Sequence, residues 1–142
     1  YNIMKINLFI PLICFVLLLS SCSRTDNNLG NEEAINVPWS LKSTVGGLAG
    51  TNVNFNMGTV LWTFNDSFNT LTVINNNTND DVYDGLETGS YSYTMTTIDG
   101  LEYLIVNEDY NLGRLEYINS ELTLDNGIPL DGLLLTFEIY IP

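Results

Sequence analysis

The sequence predicts an all-β chain: an eight-stranded antiparallel up-and-down barrel that follows an N-terminal signal peptide and a polar tether. Three observations lead there. Short segments alternate apolar and polar residues with a period of two. Turn-forming residues separate them at close intervals. No stretch after the first quarter of the chain shows the sustained spacing of an amphipathic helix.

The strands follow in order. Pro38-Trp39 opens the domain, and Trp39, Leu41, Ser43 and Val45 alternate with Ser40, Lys42 and Thr44. Gly46-Gly47-Leu48-Ala49-Gly50 ends this strand, and the segment to Met57 reads as loop or poorly formed strand because it is rich in asparagine. Gly58 to Asn65 has the clearest pattern, with Val60, Trp62 and Phe64 on one face and β-branched or aromatic residues throughout. Asn65-Asp66-Ser67 turns the chain into Leu71–Ile74, giving a hairpin. Asn75 to Gly85 is a long polar loop. Gly89 to Thr97 sets Tyr91, Tyr93 and Met95 on one face, and Asp99-Gly100 is a strong hairpin turn. Leu101 to Val106 follows, with Tyr103 and Ile105 assigned inward. Glu108 to Asn111 is a loop, and Arg114 to Ile118 a strand with Leu115 and Tyr117 inward. After Asn119-Ser120 come Leu122–Leu124, a break at Asp125–Pro129, and Leu133–Ile141 with Leu133, Leu135, Phe137 and Ile139 inward. Eight strands can close, which removes exposed edges, and the interior is then either filled by side chains or holds one small ligand.

Ahead of this domain stands a different kind of segment. Met4, the expected start, and Lys5 precede an apolar run from Ile6 to Leu19, too short to span a bilayer at about 20 residues and interrupted by Asn7 and Pro11. Small residues follow, as in a secretory signal. Leu19-Ser20-Ser21-Cys22 resembles a bacterial lipobox. That resemblance implies cleavage before Cys22, a thioether-linked diacylglycerol on its sulfur and an acylated amine. The expected organisation is therefore a signal over residues 1–21, a lipidated and flexible tether over 22–37, and the barrel over 38–142. The tether is polar, and about 15 flexible residues reach roughly 20 Å.

Composition narrows the function. The chain of 142 residues has 17 Asp and Glu against four Lys and Arg, a net charge of −13. Nucleic-acid binding needs basic groups to neutralise phosphates, so no nucleic-acid partner is expected. There is no histidine, which removes His-based triads, His metal ligands and imidazole switches. With Cys14 lost in the signal, Cys22 has no intramolecular disulfide partner. One domain of ordinary size must therefore rest on packing and backbone hydrogen bonds.

Beyond the lipobox, the polar tether, the Pro-Trp-Ser-Leu opening at Pro38, the Gly-Gly-Leu-Ala-Gly loop, Gly-Thr-Val-Leu-Trp-Thr-Phe at Gly58, Gly-Ser-Tyr-Ser-Tyr at Gly89 and Asp-Gly-Leu-Leu-Leu-Thr-Phe at Asp131 resemble the bacterial lipocalin-like lipoproteins over Val37–Ile141. The resemblance implies a barrel on the outer membrane or cell surface of a Gram-negative bacterium. Two features depart from lipocalins proper: no glycine lies two residues before Trp39, and no Arg or Lys follows Arg114.

The inward set is aromatic: Trp39, Trp62, Phe64, Tyr91, Tyr93, Tyr103, Tyr117 and Phe137. These are the candidate ligand-binding residues, lining a calyx for an apolar or ring-bearing molecule with tyrosine hydroxyls to orient it. The alternative is a solid core, since each ring buries about 150–250 Å²; loops Gly46–Met57 and Asn75–Thr88 would then contact a protein or glycan. Asp80 and Asp84 are weak metal candidates, because Val82 stands where a calcium loop needs an oxygen ligand. Asn65-Asp66-Ser67 and Asn76-Asn77-Thr78 match the N-glycan acceptor pattern and are read as turns. No cofactor and no catalysis are expected, as no nucleophile motif is present. The expected molecule is a lipid-anchored, non-enzymatic monomer that binds a small hydrophobic ligand.

Overall fold

The computed structural model describes residues 36–127 and 130–142. The signal, Cys22 and most of the tether lie outside the described residues. Among the described residues nine strands form one antiparallel sheet: β1 (Pro38–Gly46), β2 (Thr51–Asn54), β3 (Val60–Asn65), β4 (Thr70–Asn75), β5 (Gly89–Ile98), β6 (Leu101–Val106), β7 (Tyr110–Ile118), β8 (Glu121–Asp125) and β9 (Leu133–Ile139). Neighbours follow chain order from β3 to β9, and β9 returns to β1. The sheet is a closed up-and-down barrel, and among the described residues there is no α-helix.

The sequence pattern supplies eight staves, and the ninth strand comes from splitting one of them. β1 pairs β3 through Pro38–Ser40 and pairs β2 through Ser43–Gly46 on the same side. β2 and β3 are thus one broken stave, and the asparagine-rich stretch read as loop or weak strand contributes Thr51–Asn54. The break is stitched at two points. Phe55 N–H donates to Lys42 O at 2.9 Å, and Gly58 N–H donates to the buried Ser40 Oγ at 2.9 Å.

Closure rests on β1 and β9, paired from Trp39↔Ile139 to Gly46↔Leu133. The register slips between Leu41 and Ser43, so Lys42 is an extra residue. A bulge of this kind reverses which side chains point inward. Trp39 and Leu41 are buried ahead of it and Thr44 after it, while Val45 is exposed. The simple alternation read from Trp39 to Val45 breaks at that residue.

A second bulge shapes β7. Leu104 pairs Gly113 but Ile105 pairs Asn111, which leaves Leu112 extra and turned into the core. The strand therefore starts at Tyr110, inside the segment read as a loop. Gly113, at φ +131, makes this possible: a Cβ there would overlap the backbone carbonyl of Asp125.

The core is a single cluster that includes Trp39, Leu41, Trp62, Phe64, Leu104, Leu112, Leu135 and Phe137. On β6 the buried residues are Leu104 and Val106, so Tyr103 and Ile105 lie on the outer face, contrary to expectation. Partners across an antiparallel pair share a face. The Asp99-Gly100 turn sets Ile98 opposite Leu101, which brings Met95 to Leu104 and Tyr93 to Val106. Tyr103 pairs with Thr96 and faces outward with it.

Gly113→Ala should cost about 3 kcal/mol or more, because it adds left-handed strain to overlap with rigid backbone. Gly100→Ala also sits at positive φ but meets no atom within 4 Å, and should cost only about 1–2 kcal/mol. Urea unfolding of the two variants checks the difference.

Candidate functional site

Of the eight aromatic candidates, the fold brings most to the interior. Trp62 packs on Phe137 at 4.8 Å between ring centroids, and Phe64 meets Tyr93 edge-on at 5.3 Å. Trp62 and Phe64 also lie edge to face at 6.4 Å. Lower in the barrel Trp39 meets Tyr117 at 5.7 Å. Edge-to-face and tilted pairs at these separations are favourable. Tyr91 is half-buried on the same inner face and donates its hydroxyl hydrogen to Glu87 O at 2.9 Å. Tyr103 is outside the set. The rings thus fill the lower and middle barrel with each other.

Tyr93 is fixed by more than packing. Its hydroxyl donates to Asp66 Oδ1 in the β3–β4 turn. Asp66 Oδ2 accepts from Asn36 Nδ2 at 2.7 Å, and Asn36 Oδ1 accepts from the Asp66 backbone N–H at 3.3 Å. This network ties the point where the chain enters the barrel to the floor of the core. Burial raises the Tyr93 phenol far above its ordinary value, and the Asp66 carboxylate raises it further.

At the opposite end, residues 76–88 connect β4 to β5 and fold over the mouth. Asn75 and Thr88 form the neck: Asn75 N–H donates to Thr88 Oγ1 at 2.8 Å, and Thr88 Oγ1 donates to Asn75 O at 3.0 Å. Asn75 Nδ2 reaches Leu86 O at 3.3 Å, and Asn77 Nδ2 reaches Asp84 Oδ2 at 2.8 Å. Asparagine carbonyls capping nearby backbone N–H groups, as at Asn77 and Asp81, give the loop its shape. Leu86 is partly buried against the core. Partial burial raises the Tyr83 phenol, with smaller contributions from Tyr110 at the start of β7 and from Asp84.

Gly85 is the contact point. At φ +97 it lies against the core, where a Cβ would sit 3.0 Å from Trp62 and 3.3 Å from Leu135. Beneath it are two buried polar atoms, the only ones among the described side chains without a hydrogen-bond partner: Trp62 Nε1 and Thr44 Oγ1. Thr44 is the cross-strand neighbour of Leu135, so both orphans belong to the region that Gly85 covers. Thr44 is not among the expected site residues. Its burial follows from the Lys42 bulge, which no periodicity signals.

Asp80 and Asp84 lie in this lid, and Asp84 is engaged by Asn77. Among the described residues no three His, Cys, Asp or Glu side chains gather to hold a metal ion. No protein-family model, curated protein or solved structure matches the chain. The geometry defines a closed antiparallel barrel with an aromatic floor and a lidded mouth, an architecture compatible with a lipocalin-like fold.

The raised Tyr93 phenol has a pH signature. Its neutral form is favoured by folding, so the associated stability is fully present below the ordinary tyrosine value of about 10 and is lost as pH rises beyond it. The unfolding midpoint should fall in that alkaline range. Tyr93→Phe should cost about 1–2 kcal/mol at neutral pH and flatten that alkaline decline, as read by urea unfolding from pH 7 to 11.

Proposed function

We propose that the protein is a non-catalytic lipoprotein of the outer membrane or cell surface of a Gram-negative bacterium, held by diacylated Cys22. Its barrel takes a small, largely apolar ligand that carries a hydrogen-bonding group. The ligand sits at the lidded mouth among Trp62, Thr44 and Leu135. It does not sit in the deep interior, which the rings of Phe64, Tyr93 and Phe137 occupy.

The observation that carries this reading is the pair of orphaned polar groups beneath Gly85. An unpartnered buried donor or hydroxyl costs about 1–3 kcal/mol, and an otherwise well-satisfied core has no packing need for either. A ligand acceptor placed on the Trp62 indole N–H removes that cost. The lid suits this role. It inserts a glycine and one leucine, and the rest is held by largely exposed hydrogen bonds worth about 0.5–1.5 kcal/mol each. Lifting it therefore costs far less than opening the barrel wall.

One observation favours a second reading. The ring contacts fill the middle of the barrel, as they would in a solid core that presents loops 46–57 and 75–88 to a protein or glycan.

Native mass spectrometry of the protein purified from its own host separates the two. The ligand reading expects a reproducible extra mass that solvent extraction removes. It also expects Trp62→Phe, which keeps a ring and deletes the N–H, to weaken binding of a fluorescent fatty-acid probe about tenfold, the equivalent of about 1.4 kcal/mol. A bare mass together with no probe binding would reject the carrier and leave the solid-core reading.

A further inference from the structure

Alternate connections of an up-and-down barrel gather at opposite ends. The β3–β4, β5–β6 and β7–β8 turns therefore share one end with the start of β1 and the residues after β9. Trp39 pairs Ile139 there, and Asn36 is tied to the β3–β4 turn through Asp66. The lid, the β1–β2 turn and the β6–β7 and β8–β9 connections surround the mouth at the other end.

Each segment of the first end carries an exposed apolar side chain. Phe68 in the β3–β4 turn is 77% exposed, Ile98 and Leu101 flank the Asp99-Gly100 turn at 47% and 37%, Ile118 precedes the β7–β8 turn at 56%, and Ile141 follows β9 at 74%. Single exposed apolar residues are ordinary on a protein surface. A rim on which every turn has one is not explained by turn chemistry, which calls for Gly, Asn, Asp or Ser. Nor is it explained by the core, which none of the five joins.

Charge separates the two ends. The mouth carries Asp80, Asp81, Asp84 and Glu87 in the lid, Glu108 and Asp109 between β6 and β7, and Asp131 before β9. Leu48 and Leu130 are exposed at that end as well, but in acidic company. The rim turns carry only Asp99 and Asp66, and Asp66 is turned onto Tyr93 and Asn36. Glu102, Glu121 and Glu138 begin the wall above, with Glu121 paired to Lys42. The nine residues of β1, at about 3.3 Å each and a tilt of roughly 40°, set the mouth about 20 Å from the rim. That is more than twice the Debye length of about 8 Å at physiological ionic strength. With the rim on a bilayer, the acids of the mouth are screened from the lipid phosphates. The reverse orientation presses them together.

The tether selects the occupant. It enters at Asn36, on this rim, and its expected reach of roughly 20 Å matches the height of the barrel. The rim meets the anchoring bilayer with the tether slack, whereas the mouth does so only with the tether drawn along the whole wall. We propose that this rim docks on the bilayer that holds Cys22, with Phe68, Ile98, Leu101, Ile118 and Ile141 among the lipid headgroups and the lidded mouth turned to the aqueous side. The inference rests on the reading of Cys22 as lipidated and deepens it, because the anchor then sets an orientation as well as a place. Apolar area buried at the headgroup boundary adds to the attachment that the lipid chains supply.

The test uses the full lipidated chain in phosphatidylcholine vesicles that contain a lipid with a nitroxide near its headgroup. A nitrobenzoxadiazole fluorophore is placed on Ser67→Cys at the rim or on Thr78→Cys in the lid. Cys14 is expected to leave with the signal and the Cys22 sulfur to carry the lipid, so the new thiol is the one labelled. Quenching at position 67 should exceed that at position 78 at least threefold. Phe68→Ser combined with Ile98→Ser should halve it or better and leave the urea unfolding midpoint unchanged, since both side chains are exposed. Intact mass of the same sample reads the lipid. A lipidated chain quenched equally at both positions, or more at 78, would overturn this proposal and leave the anchor standing. So would quenching at 67 that is indifferent to the double substitution, or a chain dimer in detergent that shields position 67, which makes a second copy the occupant. An unmodified mass would overturn the anchor and the orientation together.

Discussion

β1 is the strand on which closure depends, because among the described strands it alone has three partners. It holds β9 along its whole length and divides its other edge between β3 and β2. That division is spanned by the Lys42 carbonyl, which accepts from Phe55 N–H as the next rung of the β1–β2 ladder, and by Ser40 Oγ, which accepts from Gly58 N–H. The Lys42 bulge lies on the opposite edge, facing β9, and turns Thr44 inward. Without those two hydrogen bonds, the broken β2–β3 stave would leave buried backbone groups unsatisfied, at about 1–3 kcal/mol each. Ion pairs contribute little by comparison. Lys42–Glu121 and the Arg114 pairs are substantially exposed, and such pairs add at most about 1 kcal/mol each. Packing and backbone pairing carry the fold.

Much of this architecture is legible in the amino-acid sequence. Period-two alternation places Val60–Phe64, Tyr91–Met95 and Leu133–Ile139 on their correct faces, because in each one parity is wholly apolar or aromatic and the other, Leu61 and Leu134 apart, is polar. Leu101–Val106 has apolar residues on both parities, so periodicity alone does not choose between Tyr103 and Leu104. The deciding information lies in the neighbouring turn: a two-residue Asp99-Gly100 connection fixes the register and carries the face of Tyr93 and Met95 onto β6. The two bulges leave no comparable signal. A bulge inserts one residue whose chemistry is ordinary, as Lys42 and Leu112 are, and its position depends on pairings far away in the chain.

The lid shows the same limit from another side. Its composition marks residues 75–85 as polar loop, and that is correct. Nothing in Gly85 announces that it rests on Trp62, or that Trp62 and Thr44 share an uncapped roof. The mouth is closed by polar hydrogen bonds over two unsatisfied polar atoms.

The ring closure also imposes an order in time. The β3–β4, β5–β6 and β7–β8 hairpins join residues near in sequence and need little loop-closure entropy. The β1–β9 seam joins Trp39 to Ile139, close to the two ends of the barrel domain, and contacts of such high sequence separation form late and slowly. Until the last strand has been synthesised and docked, β1 and β8 each keep an open edge, a template for aggregation. A chain cut short by even this final strand is therefore incomplete in a particular way: most of its residues are present, yet it carries two sticky edges that the finished barrel conceals.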